Sequence, residues 1–521
     1  MKKLSILFLL LLSIVWQGMS QPITSAEIDQ LVERTMKTFQ VPGMAVAVVK
    51  DGKVIHSKGY GVSSLNTGKK VDENTLFGIA SNSKAFTAAT LGILVDEKKI
   101  SWNDKVIQYI PEFRLYNSYV TEDFTIKDLL THRSGMGMGA GDLMIWPDSN
   151  DFTIKDIIYN LRFLKQVSPF RTKFDYDNLL YMVAGEVVTR VSGMSWEQFA
   201  EQKIMIPLQM KRSAASYARL QDKTNVIDGH MVIDHKLQVV PRHDLKIGEC
   251  SAGGISSSIS DMSKWMICQL DNGKFGPNLE NQIFSASVQR EMWSPQTNMP
   301  VRSDKYNSHF SAYGLGWGLT DVKGTKQVSH TGGLEGMVTQ VTLLPEMKLG
   351  IVVLTNQESG AAFMSVTNTI KDSYLGFTPE DWVLRYDTLL AKSEKEDEEL
   401  NRKIQDEIDK AINLGIEKVD LDNYAGQFKD NWLGQVQISK VNGKLWFQSV
   451  RSPNLKGEMS FYKGNTFVVK WTIRSMKADA FVLYNLDSEG KAVGFEMNPI
   501  SPLTDFSYDF QDLNFKRIDK Q

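Results

Sequence analysis

Only two cysteines, Cys250 and Cys268, occur among 521 residues. That scarcity excludes a disulfide-built scaffold and a cysteine-rich metal centre. Spacing alone leaves open whether the two pair. An excess of one charge is also missing: Lys+Arg 59 stands against Asp+Glu 61, a formal net charge of -2. So balanced a chain offers no electrostatic footprint for nucleic acid or for an anionic membrane. Histidines number seven. His56, His132, His230, His235, His243 and His309 show no H-E-x-x-H or comparable ligand spacing, so neither metal nor cofactor is expected. A G-x-S-x-G nucleophile elbow is absent, which argues against an α/β-hydrolase.

Long apolar runs are lacking except at the start. Lys2 and Lys3 precede Leu4 to Trp16, and Gly18 and Ser20 come next. A charged start, a short apolar core and a small-residue exit predict a secretory signal peptide over residues 1–20. The run is shorter than the roughly 20 residues that span a bilayer. The mature chain is expected to be exported, to the periplasm, without stable membrane insertion.

The remaining sequence suggests roughly three units. Met44–Val49 and Val54–Lys58 are β-rich and joined by Asp51-Gly52, a hairpin signal. Helical patterns succeed them, and β-character returns at Gln327-Val328, Val338–Leu344 and Gly350–Leu354. Strands at both ends with helices between predict one domain over 21–376, its sheet built from both termini around an inserted helical lobe. Residues 377–418, dense in alternating charge from Ser393 to Asp409, read as an exposed helical linker. From 419 to 521, short strands separated by turn signals predict a small barrel or sandwich. The fold class is α+β with an appended all-β domain.

The chemistry concentrates at Ser81-Asn82-Ser83-Lys84, which opens an apolar helical run. Residues three apart share a helix face, so Lys84 lies one turn above Ser81. A serine hydroxyl needs a neighbouring base to become a nucleophile, and a desolvated lysine can be that base. The N–H groups of a helix start can hold a developing oxyanion. The same S-x-x-K spacing recurs at Ser460–Lys463 and Ser488–Lys491, in strand and turn contexts that do not suit catalysis.

Two later motifs distinguish the Ser81 copy. Tyr176-Asp177-Asn178 stands ahead of a helix, and His330-Thr331-Gly332-Gly333 lies beside a β-rich run. This order resembles the class C β-lactamase and D-alanyl-D-alanine carboxypeptidase family, in its broad β-lactamase-related branch. Leu129–Gly135, Pro207–Met210, Ser251–Ile255 and Tyr313–Trp317 extend the likeness.

The resemblance implies an antiparallel sheet flanked by helices, with Ser81 the acylated nucleophile and Lys84 and Tyr176 sharing its proton. It places the oxyanion hole at the N–H groups of Ser81 and Gly333, with Thr331 and Gly332 on the substrate side, and Asn178 either there or orienting Lys84. His330 is counted with the catalytic set; most β-lactamases have lysine there, and an ordinary histidine is only partly charged at neutral pH. That weakens any expectation of antibiotic hydrolysis. The C-terminal segment resembles a small lipocalin-like domain, with Tyr424–Phe428, Phe506 and Phe515 as its loose signature.

The expected substrate is a small-molecule ester, amide or peptide. Three alternatives stay open: acyl transfer to an alcohol or amine, a weak β-lactamase or penicillin-binding protein, and a non-enzymatic ligand-binding relative. The oligomeric state is not readable.

Overall fold

The computed structural model describes residues 22–233, 235–246, 248–301, 305–413 and 419–518. The expected signal peptide at 1–20 lies outside the described residues, as do residues 414–418 of the expected linker. Strands β1 (Gly43–Lys50) and β2 (Lys53–Gly61) form the predicted hairpin. Asp51 and Gly52 both have positive φ, 51° and 74°, as its tight primed turn requires.

The first domain's sheet is completed by β3 (Thr297–Asn298), β4 (Ser311–Tyr313), β5 (Gly318–Val322), β6 (Thr325–Leu334), β7 (Met337–Leu344) and β8 (Leu349–Thr355). It is eight-stranded and antiparallel, in the order β2-β1-β8-β7-β6-β5-β4-β3. β1 pairs with β8, Val46 opposite Val353, so segments from opposite ends of the domain close the sheet together. Alternation along β1 sends Val46 and Val48 to one face and Ala45, Ala47 and Val49 to the other.

Two helical layers cover those faces, which is why the strand reads as an unbroken apolar run. Helices α1 (Ser25–Thr38) and α5 (Gly360–Leu375) cover the first face through Ile28, Val32, Val366 and Ile370. The helical lobe covers the second. It includes α2 (Ser83–Asp96), α3 (Leu179–Ser192) and α4 (Ile259–Leu270), with Phe86 stacked on Trp265 at 4.1 Å.

Helix α6 (Trp382–Asn413) leads to the second domain and is about 48 Å long at 1.5 Å per residue. Most of Ser393–Asp409 is exposed as expected, but not all of it. Trp382 and Val383 are buried in the first domain, while Ile404 and Ile408, one turn apart, pack against Tyr462 and Val468 of the second. The Tyr462 hydroxyl donates to Glu407 at 2.6 Å. Charge density conceals a narrow apolar stripe.

The second domain is a closed barrel of eight strands in chain order: β9 (Gly426–Asp430), β10 (Gly434–Val441), β11 (Lys444–Ser449), β12 (Lys456–Lys463), β13 (Thr466–Trp471), β14 (Ala480–Leu486), β15 (Ala492–Pro499) and β16 (Asn514–Arg517). Its interior is occupied by Phe428, Phe447, Phe467, Tyr484, Phe495 and Phe515, all fully buried. Phe428 and Phe495 meet edge to face at 5.0 Å. These side chains give the barrel an aromatic core.

Cys250 and Cys268 are both buried and unpaired. Burial pushes both thiols up, aided at Cys250 by the Glu197 and Glu249 carboxylates, which suppresses the reactive thiolate. A thiol-alkylating reagent is therefore expected to leave the native protein unmodified over minutes and to label both cysteines after unfolding, read by intact mass. An unlabelled pair after unfolding without reductant would show a disulfide instead.

Candidate active site

Ser81 lies in a single tight turn, Ala80–Asn82, that runs directly into α2. Ala80 has φ +50°, an uncommon conformation for a residue with a Cβ, and it turns the chain sharply just before the serine. Several bonds impose that turn. The Asn82 amide donates to Ile79 O and to Thr339 Oγ1 at 3.2 and 2.9 Å, and Thr339 Oγ1 donates to Ile79 O at 3.0 Å. Ser83 Oγ accepts from Ile255 N at 3.1 Å. A Cβ on Gly332 would stand 2.3 Å from Ile79 O and 2.9 Å from Ala80 Cβ. Strand β6 can pass this close to the nucleophile turn only with glycine there.

Lys84 is fully buried. Its Nζ donates to Ser81 Oγ at 3.1 Å, Asn178 Oδ1 at 2.7 Å and Ala252 O at 2.8 Å. Three acceptors match its three ammonium protons. Burial lowers its pKa to about 7, against the opposing pull of Asp142 and Asp177. Tyr176 hydrogen-bonds with Ser81, yet burial holds its phenol above the ordinary range. Near neutrality the ionisable partner of Ser81 is accordingly the amine. Lys84 Nζ stands 4.8 Å from the centre of the Tyr176 ring.

Behind Tyr176 sits His132 of the Leu129–Gly135 segment, buried, at φ +52°. The two rings lie 4.2 Å apart, and His132 Nδ1 accepts from Asp177 N at 3.0 Å. His132 is a support for Tyr176; burial keeps it neutral. Asn178 immediately precedes α3 and places its amide between Lys84 and Asp142.

His330 departs from the expectation drawn from an isolated histidine. Burial and the neighbouring Lys84 lower its pKa to about 4, so it is neutral at pH 7, not partly charged. Nδ1 lies 2.6 Å from Thr331 O and can only donate to it, so Nε2 accepts from the Tyr313 hydroxyl at 2.8 Å. Both nitrogens are engaged, one with Tyr313 and one with Thr331.

Ser81, Tyr176, Asn178, His330, Thr331 and Gly333 line one cleft of about 1340 Å³. Gly333 faces its open space, with nothing within 4 Å of a notional Cβ. Ser81 N–H belongs to the first helical turn, where N–H groups lack intrahelical acceptors. Gly332, expected on the substrate side, is instead buried against the nucleophile turn, and clearance is what its position supplies. The two other S-x-x-K pairs lie on β12 and in the turn before β15, away from these groups. Among the described residues no cluster suited to hold a metal ion occurs.

The family profile described as Beta-lactamase matches residues 28–375. This chain belongs to the β-lactamase family. A second profile, a domain of unknown function (DUF3471), matches residues 415–517. An unguisins hydrolase of Aspergillus campestris is 30% identical over 381 residues, covering 69% of this chain and 68% of that protein. Its counterpart in Aspergillus violaceofuscus is 28% identical over 391 residues, covering 70% and 68%. Protein flp of Staphylococcus aureus is 26% identical over 337 residues, covering 64% and 63%.

Among solved structures, the octameric penicillin-binding protein homologue from Pyrococcus abyssi aligns with TM-score 0.60 at 20% identity, covering 95% of this chain and 100% of that one. SurE aligns with TM-score 0.55 at 16% identity, covering 95% and 99%. These two likenesses, at 20% and 16% identity, bear on the fold alone.

Within this β-lactamase-family site, sequence reading misses Tyr313, Asp142 and the barrel's Ser507, and gives Phe506 no place in the cleft. Tyr313 sits in a recognised segment without an assigned task. Asp142 lies in a loop, Gly135–Asn150, that carries no periodic signal. The Phe506 ring meets Tyr176 edge-on at 5.7 Å, although the two belong to different domains.

The Gly332 contact generates a stability contrast. Gly332→Ala is expected to lower the unfolding free energy by about 2 kcal/mol or more, whereas Gly333→Ala stays within about 0.5 kcal/mol, both read by urea unfolding. Equal costs would remove the clearance argument.

Proposed function

We propose that the protein is an exported serine hydrolase that cleaves an ester or peptide-like amide through an acyl-enzyme at Ser81. The single observation that carries the reading is the buried Lys84 amine, 3.1 Å from Ser81 Oγ with a pKa lowered to about 7. The family and its named hydrolase relatives support the reaction class. Export rests on the charged, apolar and small-residue order of residues 1–20.

Neutral Lys84 takes the Ser81 proton as Oγ attacks the substrate carbonyl carbon. The carbonyl oxygen becomes an oxyanion between the N–H groups of Ser81 and Gly333. As the tetrahedral adduct collapses, the bond to the leaving group breaks and the Tyr176 hydroxyl supplies its proton. The Lys84 ammonium returns a proton to Tyr176, restoring the resting amine. Water then repeats the sequence on the acyl-enzyme, releasing the acid and free Ser81.

A neutral His330 gives the cleft no fixed cation beside Thr331. We infer that acyl donors without a carboxylate at that position are preferred, which sets penicillins at a disadvantage.

Brief exposure to an activated ester is expected to add one acyl mass to the mature protein and none to Ser81→Ala, with the adduct decaying in water. Its formation rate should rise with pH through about 7 and level off above, because Lys84 is the acceptor only when unprotonated. A pH-independent rate, or an adduct on Ser81→Ala, would sink this mechanism. Separately, His330→Lys should raise the ratio of penicillin to neutral-ester acylation about tenfold, the scale of one charge-assisted hydrogen bond. An unchanged ratio would show that charge at residue 330 does not govern donor choice.

A further inference from the structure

The barrel domain reaches into the site through the segment between β15 and β16. Ser507 Oγ donates to Asp142 Oδ2 at 2.9 Å across 365 residues of sequence, and Asn178 Nδ2 donates to the same oxygen at 2.8 Å. Asp142 Oδ1 is buried without a hydrogen-bond partner, so the carboxyl is held through one oxygen by these two donors. Two residues beyond Ser507, Asp509 accepts from Gly141 N at 2.6 Å and Leu143 N at 3.1 Å, bracketing Asp142 from both sides. Asp142, Asp509 and Lys84 are all fully buried.

The geometry determines an amide orientation. Asn178 presents its oxygen to Lys84 Nζ and its nitrogen to Asp142 Oδ2. With an ammonium at Lys84 and a carboxylate at Asp142, an amide turned over would set donor against donor and acceptor against acceptor, losing both bonds. Asp142 is therefore what keeps the Asn178 oxygen on Lys84, and Ser507 is what keeps the Asp142 carboxyl in place. The same loop supports Tyr176: Gly139 N donates to Tyr176 O at 2.7 Å, while a Cβ on Gly139 would stand 2.3 Å from Phe506 O. One barrel segment thus touches the supports of both Lys84 and Tyr176.

We infer that Asp142 and the barrel's Ser507 are positioning residues for Lys84, so that the C-terminal domain is a working part of the acyl-transfer site. This rests on the Ser81–Lys84 reading. The chain Ser507–Asp142–Asn178–Lys84 sets where the amine points relative to Ser81 Oγ, and small errors in such alignment are costly in rate.

The titratable groups around Lys84 are Asp142, Asp177, Tyr176, Tyr181, His132 and His330. Burial pushes the Asp142 carboxyl well up, and donation from Asn178 and Ser507 opposes that by favouring its charged form. Loss of the Ser507 donor makes Asp142 less able to stabilise an ammonium at Lys84, so the acid limb of acylation moves to lower pH.

The test compares the full mature chain with Ser507→Ala and Ser507→Thr in stopped-flow acylation by p-nitrophenyl acetate from pH 5 to 9, with thermal unfolding of each. Ser507→Ala is expected to lower the plateau acylation rate about tenfold and shift the midpoint to lower pH, and Ser507→Thr, which keeps the donor, to recover both. Wild-type rate and midpoint in Ser507→Ala would overturn the positioning role while leaving the Ser81 reading intact. Equal losses in Ser507→Ala and Ser507→Thr with lowered melting points would overturn it too, since packing and not the hydroxyl would be at issue. A wild type no faster than Ser81→Ala would remove the Ser81 reading itself, and this inference with it.

Discussion

A lysine amine withdrawn from water is the constraint on which the rest of this structure depends. Burial disfavours the charged form, and an ammonium left without acceptors inside a protein would be far too costly to keep. Here three acceptors are delivered from the adjoining nucleophile turn and from two distant stretches, the residue before α3 and the Ser251–Ile255 segment. Each stretch is fixed in turn by glycine clearances and backbone bonds. Gly185, for instance, leaves room for Ser251, which a Cβ would meet at 2.4 Å. The helical lobe can be understood as the scaffold that brings these acceptors to one amine.

That arrangement also explains how much of the site is legible in the sequence. Ser81, Lys84, Tyr176 and Asn178 sit at fixed short spacings beside regular elements. The structure gathers Ser81, Tyr176 and Asn178 in one cleft with Gly333 and sets the Lys84 amine behind them. The central strands are legible because double burial writes an unbroken apolar run. Strands β9 and β16 are not, since they are only five and four residues long. Asp142 and Ser507 are invisible for a different reason. Their pairing depends on a docking of two domains, and no local periodicity encodes a contact across 365 residues.

The charge state of His330 shows a limit of another kind. Residue type alone places a histidine near its ordinary pKa, whereas the enclosing groups decide its actual state. An exposed histidine at that position would offer a charge. Buried between Thr331 O and the Tyr313 hydroxyl, with Lys84 close by, it offers none. The same tripeptide could thus serve quite different sites, depending on the aromatic residue behind it.

Helix α6 and the Ser507 segment tie the barrel to the first domain at separate places. A third tie joins Arg451 to Asp151 and Asp156, with the Asn160 amide donating to Trp432 O at 3.0 Å. The buried side chains of the helical lobe and of the barrel interior form one continuous apolar cluster. Two family profiles divide the chain, but the solvent-excluded interior does not respect that division. Cooperativity follows the interior, so the two domains should melt as one thermodynamic unit.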